Sequence, residues 1–108
     1  MSAEHAGSGP KSPAECETMA EVRAGVDAVD GAIVALLARR FGYMDAAARI
    51  KDSRDTVRDE SRKAEVIANV RKAALELRIP QDAVAELWHN LVEASIAYEL
   101  EVWDRLRR

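Results

Sequence analysis

At 108 residues, the chain is long enough for a single domain with a modest hydrophobic core. Charged residues make up 32% of the sequence and nearly cancel to a net charge of -3, which argues against the broad basic surface that nucleic acid binding requires. The single cysteine excludes an internal disulfide, and together with the two histidines it offers no recognisable spacing for metal ligands.

The chain begins with a polar segment, residues 1–17, which we interpret as a flexible tail. Its first part, residues 1–11, contains no apolar run long enough for a secretory signal or a membrane span. Because an Arg-rich amphipathic start is also missing, the sequence predicts a cytoplasmic protein without a membrane partner.

Helix 1 is predicted over residues 19–51. Thr18 and Glu21 match a capping box, and an apolar pattern with a period of 3.6 residues follows them. A straight helix of this length spans about 50 Å, whereas a compact chain of this size has a radius of gyration of about 13 Å. We therefore expect a second copy of the chain to cover the overhang. Gly42 leaves a kink or a break open.

Two shorter helices are predicted after a polar connection at 52–58. Helix 2 begins at its N-cap, Asp59, and extends to about residue 78, and helix 3 covers about 81–107 after an interruption at Pro80. Their apolar stripes consist of Val66, Ile67, Val70, Ala74 and Leu77, and of Val84, Leu87, Trp88, Leu91, Val92, Ile96, Val102, Trp103 and Leu106. No segment has the pattern of a strand. The predicted fold is all-α, with three helices per chain, a long first helix and dimerisation.

Two cations lie on the apolar stripe of helix 1. Arg40 and Lys51 are 11 residues apart, a spacing that places them within about 20° of each other around the helix. The rest of the stripe consists of Val22, Val26, Val29, Ile33, Leu36, Met44 and Ala47. Burying an unpaired cation is costly, so the pattern predicts an anion between them, from a substrate or from the protein itself. The alternatives are snorkelling at a helix edge and an ion pair with helix 2 or 3.

Arg23 is a further candidate on helix 1. It lies about 100° around the helix from Arg40, so both can reach one small ligand only if a second copy supplies one of them. Its alternative role is that of a solvated cation near Glu21 and Asp27.

Helix 3 carries an acid on its apolar side. Glu99 lies one turn from Ser95, where desolvation should keep a carboxyl neutral or a cation should pair with it. An ion pair with Arg40 or Lys51 is therefore open as well. Asp59 and Arg62, at the start of helix 2, are by themselves a cap and a surface pair.

Several chemistries lack the residues that they need. The sequence has no Gly-rich phosphate loop and no nucleophile elbow, and neither His5 nor His89 has an evident nucleophile partner. Covalent and metal catalysis are not expected. The remaining cations, acid and hydroxyl group suit the binding of a small polyanion and the stabilisation of charge on its oxygens.

Helix 1 resembles the first helix of the all-helical chorismate mutases and of their relative, isochorismate pyruvate lyase. The matching residues are Glu21-Val22-Arg23, Val26-Asp27-Ala28-Val29-Asp30, Ile33-Val34-Ala35-Leu36-Leu37-Ala38-Arg39-Arg40 and Ala47 to Lys51. The resemblance is looser in helices 2 and 3. It implies a chorismate mutase-like domain over 18–108, intertwined into a homodimer with two sites, each of which receives an arginine from the partner.

The resemblance also implies roles for individual residues and no cofactor or metal. Arg23 from the other subunit and Arg40 would bind the carboxylates of a small dicarboxylate substrate, chorismate or isochorismate. Lys51 would bind a carboxylate and the ether oxygen, to which Glu99 would be the second donor. Asp59 and Arg62 match the helix 2 pair that closes over the substrate, and Ser95 matches a polar position on helix 3.

The sequence departs from the mutase pattern at two positions. Glu99 stands where glutamine is frequent and can donate a hydrogen bond only when protonated, so turnover should fall as the pH rises. Lys63 stands where mutases often place a glutamate that contacts the substrate hydroxyl.

Mutase and lyase features occur together in this sequence. The segment 12–16 resembles the start of the lyase, whereas Asp59 and Ser95 resemble the mutases. We expect a chorismate mutase that forms prephenate by electrostatic stabilisation and conformer selection. The alternatives are isochorismate pyruvate lyase, which forms salicylate and pyruvate, and a non-enzymatic helical interaction module.

Overall fold

The computed structural model describes residues 9–108 and contains three α-helices. They are α1 at Met19–Ile50, α2 at Glu60–Glu76 and α3 at Gln81–Leu106, with short 3₁₀ turns at Pro13–Glu15 and Arg54–Thr56. Residues 9–108 contain no strand, so the predicted all-α class and helix order are confirmed. Positions 1–8 of the predicted tail, which include His5, lie outside the described residues.

The first helix begins where the capping box places it. The Thr18 hydroxyl accepts a hydrogen bond from the Glu21 amide at 3.2 Å, and the Glu21 carboxylate accepts one from the Thr18 amide at 3.1 Å. These bonds satisfy donors that have no partner inside the helix. The helix then continues through Gly42 without a break.

The described residues form two compact units, which divide between Arg40 and Phe41. In the first unit, the Lys11 ammonium lies 2.6 Å from the Glu21 carboxylate. This hydrogen bond, together with those from the Glu17 and Thr18 amides, lowers the pKa of Glu21 to about 2. The same unit leaves the predicted apolar stripe in contact with solvent. Its members Val22, Val26, Val29, Ile33 and Leu36 are 38%, 52%, 57%, 48% and 62% exposed.

In the second unit, α2 and α3 form an antiparallel hairpin. The Arg71–Asp82 pair lies near its turn and the Lys63–Glu93 pair lies farther away, as antiparallel helices require. The turn is a Schellman motif, in which the amides of Arg78 and Ile79 donate to the carbonyls of Leu75 and Ala74. Arg78 has a positive φ of 61°, in the left-handed region that glycine adopts without steric cost.

The core of this unit joins α3 to the connection between α1 and α2. Val57, which follows the second 3₁₀ turn, is buried with Val92 and Ile96, and Val66, Leu100 and Trp103 pack around them. Three residues predicted to face inward, Leu77, Leu87 and Leu106, are instead 73%, 64% and 53% exposed in the single chain. Leu77 is the C-cap residue of α2 and lies beyond its last turn. Leu87 lies about 140° around α3 from the buried Val92, so it is on a different face of the helix.

Between Gly9 and Arg108, no helix is long and apolar enough to span a membrane.

We expect Arg78→Gly to stabilise the protein by about 0.5–1 kcal/mol, because it removes the steric cost of the left-handed conformation at a modest cost in unfolded-state entropy. Urea unfolding at fixed protein concentration measures the change. Arg78→Ala is the matched control, since it removes the side chain and keeps the strain. An unfolding midpoint for Arg78→Gly at or below that of Arg78→Ala would contradict the prediction.

Candidate functional site

An ion pair between Lys51 and Glu99 forms the centre of the candidate site. Lys51 directly follows α1, and its Nζ lies 2.8 Å from Oε2 of Glu99 on α3. The same ammonium donates a hydrogen bond to the Val57 carbonyl at 3.3 Å. The ion pair is thus one of the two outcomes that the sequence left open for Glu99.

The two members of this pair differ in their access to water. Glu99 is only 3% exposed, whereas the Lys51 side chain is 29% exposed. The ammonium approaches Oε2 outside hydrogen-bond geometry, so this buried oxygen has a charge partner but no aligned donor. Buried carboxylate oxygens normally accept hydrogen bonds. The arrangement therefore places a buried carboxylate beside a cation that reaches solvent.

Ser95 lies on the same face of α3, one turn before Glu99. It is 3% exposed, and its hydroxyl donates a 2.7 Å hydrogen bond to the Leu91 carbonyl. Such back-bonding is a common way for a helical serine to satisfy its donor. The structure thus brings three predicted site residues to one place: Lys51, Ser95 and Glu99.

Asp59 and Arg62 are placed at the start of α2. Oδ1 of Asp59 accepts a 3.0 Å hydrogen bond from the Arg62 amide, which confirms the predicted N-cap. The Arg62 guanidinium pairs with Glu65 on its own helix, and its side chain is 62% exposed. The described contacts of Arg62 are therefore local to α2.

Lys63, the second departure from the mutase pattern, pairs with Glu93 on α3. Its Nζ lies 2.7 Å from one carboxylate oxygen, and Arg58 contacts the other at 2.7 Å. Hydrogen bonds from Arg58, which has the larger effect, and from Lys63 lower the pKa of Glu93 to about 2. Glu93 therefore stays ionised at neutral pH and balances the charge of Lys63.

The remaining predicted residues lie in the first unit, on α1. Arg23 is exposed and Arg40 is partly buried. Among residues 9–108, no three His, Cys, Asp or Glu side chains come together as a metal site would require.

Sequence reasoning missed one side chain that contacts the site and misjudged another. Arg107 donates to the Lys51 carbonyl at 2.8 Å, and the Trp103 indole, predicted only as a core residue, donates to the same carbonyl at 3.1 Å. An arginine just beyond a helix end is a common partner for a helix C-terminus. The local sequence around Arg107 does not indicate that this arginine contacts the end of α1.

Two comparisons with known proteins bear on the family of this chain. Residues 22–100 match the family model "Chorismate mutase type II". The chain is also 29% identical over 97 residues to an isochorismate pyruvate lyase from Pseudomonas aeruginosa, an alignment that covers 90% of this chain and 96% of that protein. The family resemblance inferred from helix 1 is therefore confirmed.

Proposed function

The chain belongs to the chorismate mutase type II family, and from this premise we propose that it converts chorismate to prephenate. The observation that carries the proposal is the Lys51–Glu99 pair, in which a partly exposed cation lies 2.8 Å from a buried acid. A substrate oxygen that reached this place would meet both groups.

The proposed reaction is an intramolecular rearrangement, in which a C–O bond breaks while a C–C bond forms. Negative charge develops on the ether oxygen, and no proton has to leave the substrate. The Lys51 ammonium would stabilise this charge in a setting that excludes part of the water. Arginines on the two carboxylates would hold the substrate in its compact, reactive conformer. Arg23 and Arg40 are our candidates for that role.

Glu99 would donate the second hydrogen bond to the ether oxygen, and it can do so only when protonated. An ionised Glu99 would instead repel the oxygen and hold Lys51 in the ion pair. Asp59, Arg62 and Ser95 would contact other parts of the substrate, because they match substrate-binding positions in the family pattern.

We propose that the functional unit is an intertwined homodimer with an Arg23 donated across subunits. The supporting observation is the part of the α1 stripe that lies in the first unit, where five apolar side chains are each 38–62% exposed in the single chain. Monomeric proteins rarely leave an apolar patch of this kind uncovered. A second copy of α1 would cover it and bring its own Arg23.

Isochorismate pyruvate lyase is the second candidate, because a protein of that name is 29% identical over 90% of the chain. The lyase would release pyruvate from isochorismate and leave salicylate, with the same cations holding the carboxylates. Purified protein assayed with both substrates, and with the product identified, distinguishes the two. A non-enzymatic module, in which Lys51 and Glu99 only pair with each other, predicts neither turnover nor saturable binding of a dicarboxylate analogue.

We expect Lys51→Ala to lower kcat for chorismate at least about a hundredfold, because loss of one charge-stabilising donor costs about 3–4 kcal/mol of transition-state stabilisation. Steady-state kinetics measure the loss, and circular dichroism verifies that the variant is helical. Lys72→Ala, which removes an exposed lysine of α2, is the matched control. A loss of tenfold or less would remove Lys51 from the centre of the mechanism.

For Glu99, we expect Glu99→Gln to keep or raise the kcat for chorismate, because an amide donates a hydrogen bond at every pH, whereas Glu99→Ala should lower kcat because it removes the donor. Steady-state kinetics of the wild type and the two variants test this role. Unchanged activity in Glu99→Ala, or equal losses in the two variants, would count against it.

Mixing two impaired variants tests the donation of Arg23. In a co-refolded mixture of Arg23→Ala and Lys51→Ala, half of the dimers are mixed and each has one intact site, so about a quarter of wild-type activity should return. Each variant refolded alone is the control. If size measurement shows a dimer and no activity returns, Arg23 does not act across the subunit boundary.

A further inference from the structure

The end of α1 is held by two side chains from the end of α3. Arg107 donates from Nη1 to the Ala48 carbonyl at 3.0 Å and from Nη2 to the Lys51 carbonyl at 2.8 Å. Trp103 donates from its indole nitrogen to the Lys51 carbonyl at 3.1 Å. Carbonyls in the last turn of a helix lack donors within the helix, and a cation at this end is also favoured by the helix dipole. The guanidinium therefore serves as a cap supplied from another helix.

Arg107 is itself held in place. Its guanidinium carbon lies 4.2 Å from the centre of the Trp103 ring, and Nη1 also approaches the Trp103 carbonyl at 3.4 Å. The indole in turn packs against the buried cluster of Val57, Val92 and Ile96. Stacking on an aromatic face restricts the long arginine side chain. The cap is thus anchored to the core of this unit.

The opposite end of Lys51 contacts the same part of the core. Its ammonium donates to the Val57 carbonyl at 3.3 Å and lies 2.8 Å from Glu99, while its amide closes the last turn of α1 on the Ala47 carbonyl at 2.9 Å. Lysine has a flexible four-carbon stem, so the place its ammonium occupies depends on how firmly its backbone is held. Arg107 and Trp103 hold that backbone.

We propose that Arg107 is a positioning residue for Lys51, acting through Trp103 and the last turn of α1 without touching the substrate. The inference rests on the proposed function, in which the Lys51 ammonium stabilises charge on the substrate ether oxygen. Stabilisation of this kind depends on a charge that is in place before the reaction, and small displacements lower the rate steeply. Water could satisfy the two carbonyls if Arg107 were absent, but it would not fix their position.

Kinetics in two backgrounds test this role. Arg107→Ala should lower kcat about tenfold and change KM less than about threefold, since displacement of the charge affects the transition state more than binding. The same substitution in the Lys51→Ala background, measured at high enzyme concentration, should cause little further loss. Arg107→Lys, which keeps the charge but can bond fewer carbonyls, should fall between the wild type and Arg107→Ala. Arg108→Ala, an exposed neighbour of the same type, is the matched control.

The outcomes separate positioning from a general structural effect. Equal losses in the wild-type and Lys51→Ala backgrounds would show that Arg107 does not act through Lys51, and an unchanged kcat in Arg107→Ala would overturn the inference directly. If the wild type converted neither chorismate nor isochorismate, the proposed function would fail by itself. Amide hydrogen exchange would then decide the positioning claim. The Lys51 amide should exchange at least about tenfold faster in Arg107→Ala than in the wild type, and its rate should not change in Arg108→Ala. Equal exchange rates in Arg107→Ala and the wild type would overturn the claim.

Discussion

The pairing of Lys51 with the buried carboxylate of Glu99 joins the end of α1 to α3, and the proposed chemistry depends on it. Ion pairs of this type contribute little net stability, because desolvation of the two charges offsets much of their attraction. Replacement of a buried ion pair by hydrophobic residues of similar volume is often neutral or stabilising. Stability alone therefore does not explain the position of this acid in the core, and the proposed function gives it a role.

Three parts of the chain meet at this pair. The end of α1 supplies the cation, the connection supplies the Val57 carbonyl and core side chain, and α3 supplies Glu99, Ser95 and the cap on α1. The helix α2 contributes differently, since it packs on α3 and its Lys63 is occupied by Glu93. The candidate site thus combines residues from the end of the first helix and from the last helix, which are far apart in the sequence.

The first unit presents the opposite situation, because apolar side chains on α1 are exposed to water among the described residues. Hydrocarbon exposed along a helix is unfavourable in proportion to its area. The physical requirement that something cover Val26, Val29 and Ile33 is independent of any argument about the substrate. A dimer that also delivers Arg23 would meet the structural and the chemical requirement together.

The sequence by itself determined the helices and their starting points, because these depend on local bonds and periodicity. Thr18 with Glu21, and Asp59, cap the helices that they were predicted to cap, and the interruption at Pro80 separates α2 from α3. The sequence also determined the family, because the residues of helix 1 match the first helix of that family.

Only the tertiary structure decided which partner Lys51 takes, which leucines remain in water, and that Arg107 caps α1. Each of these depends on how helices far apart in sequence meet. An apolar stripe predicts that a face is buried, but the stripe does not say against which neighbour.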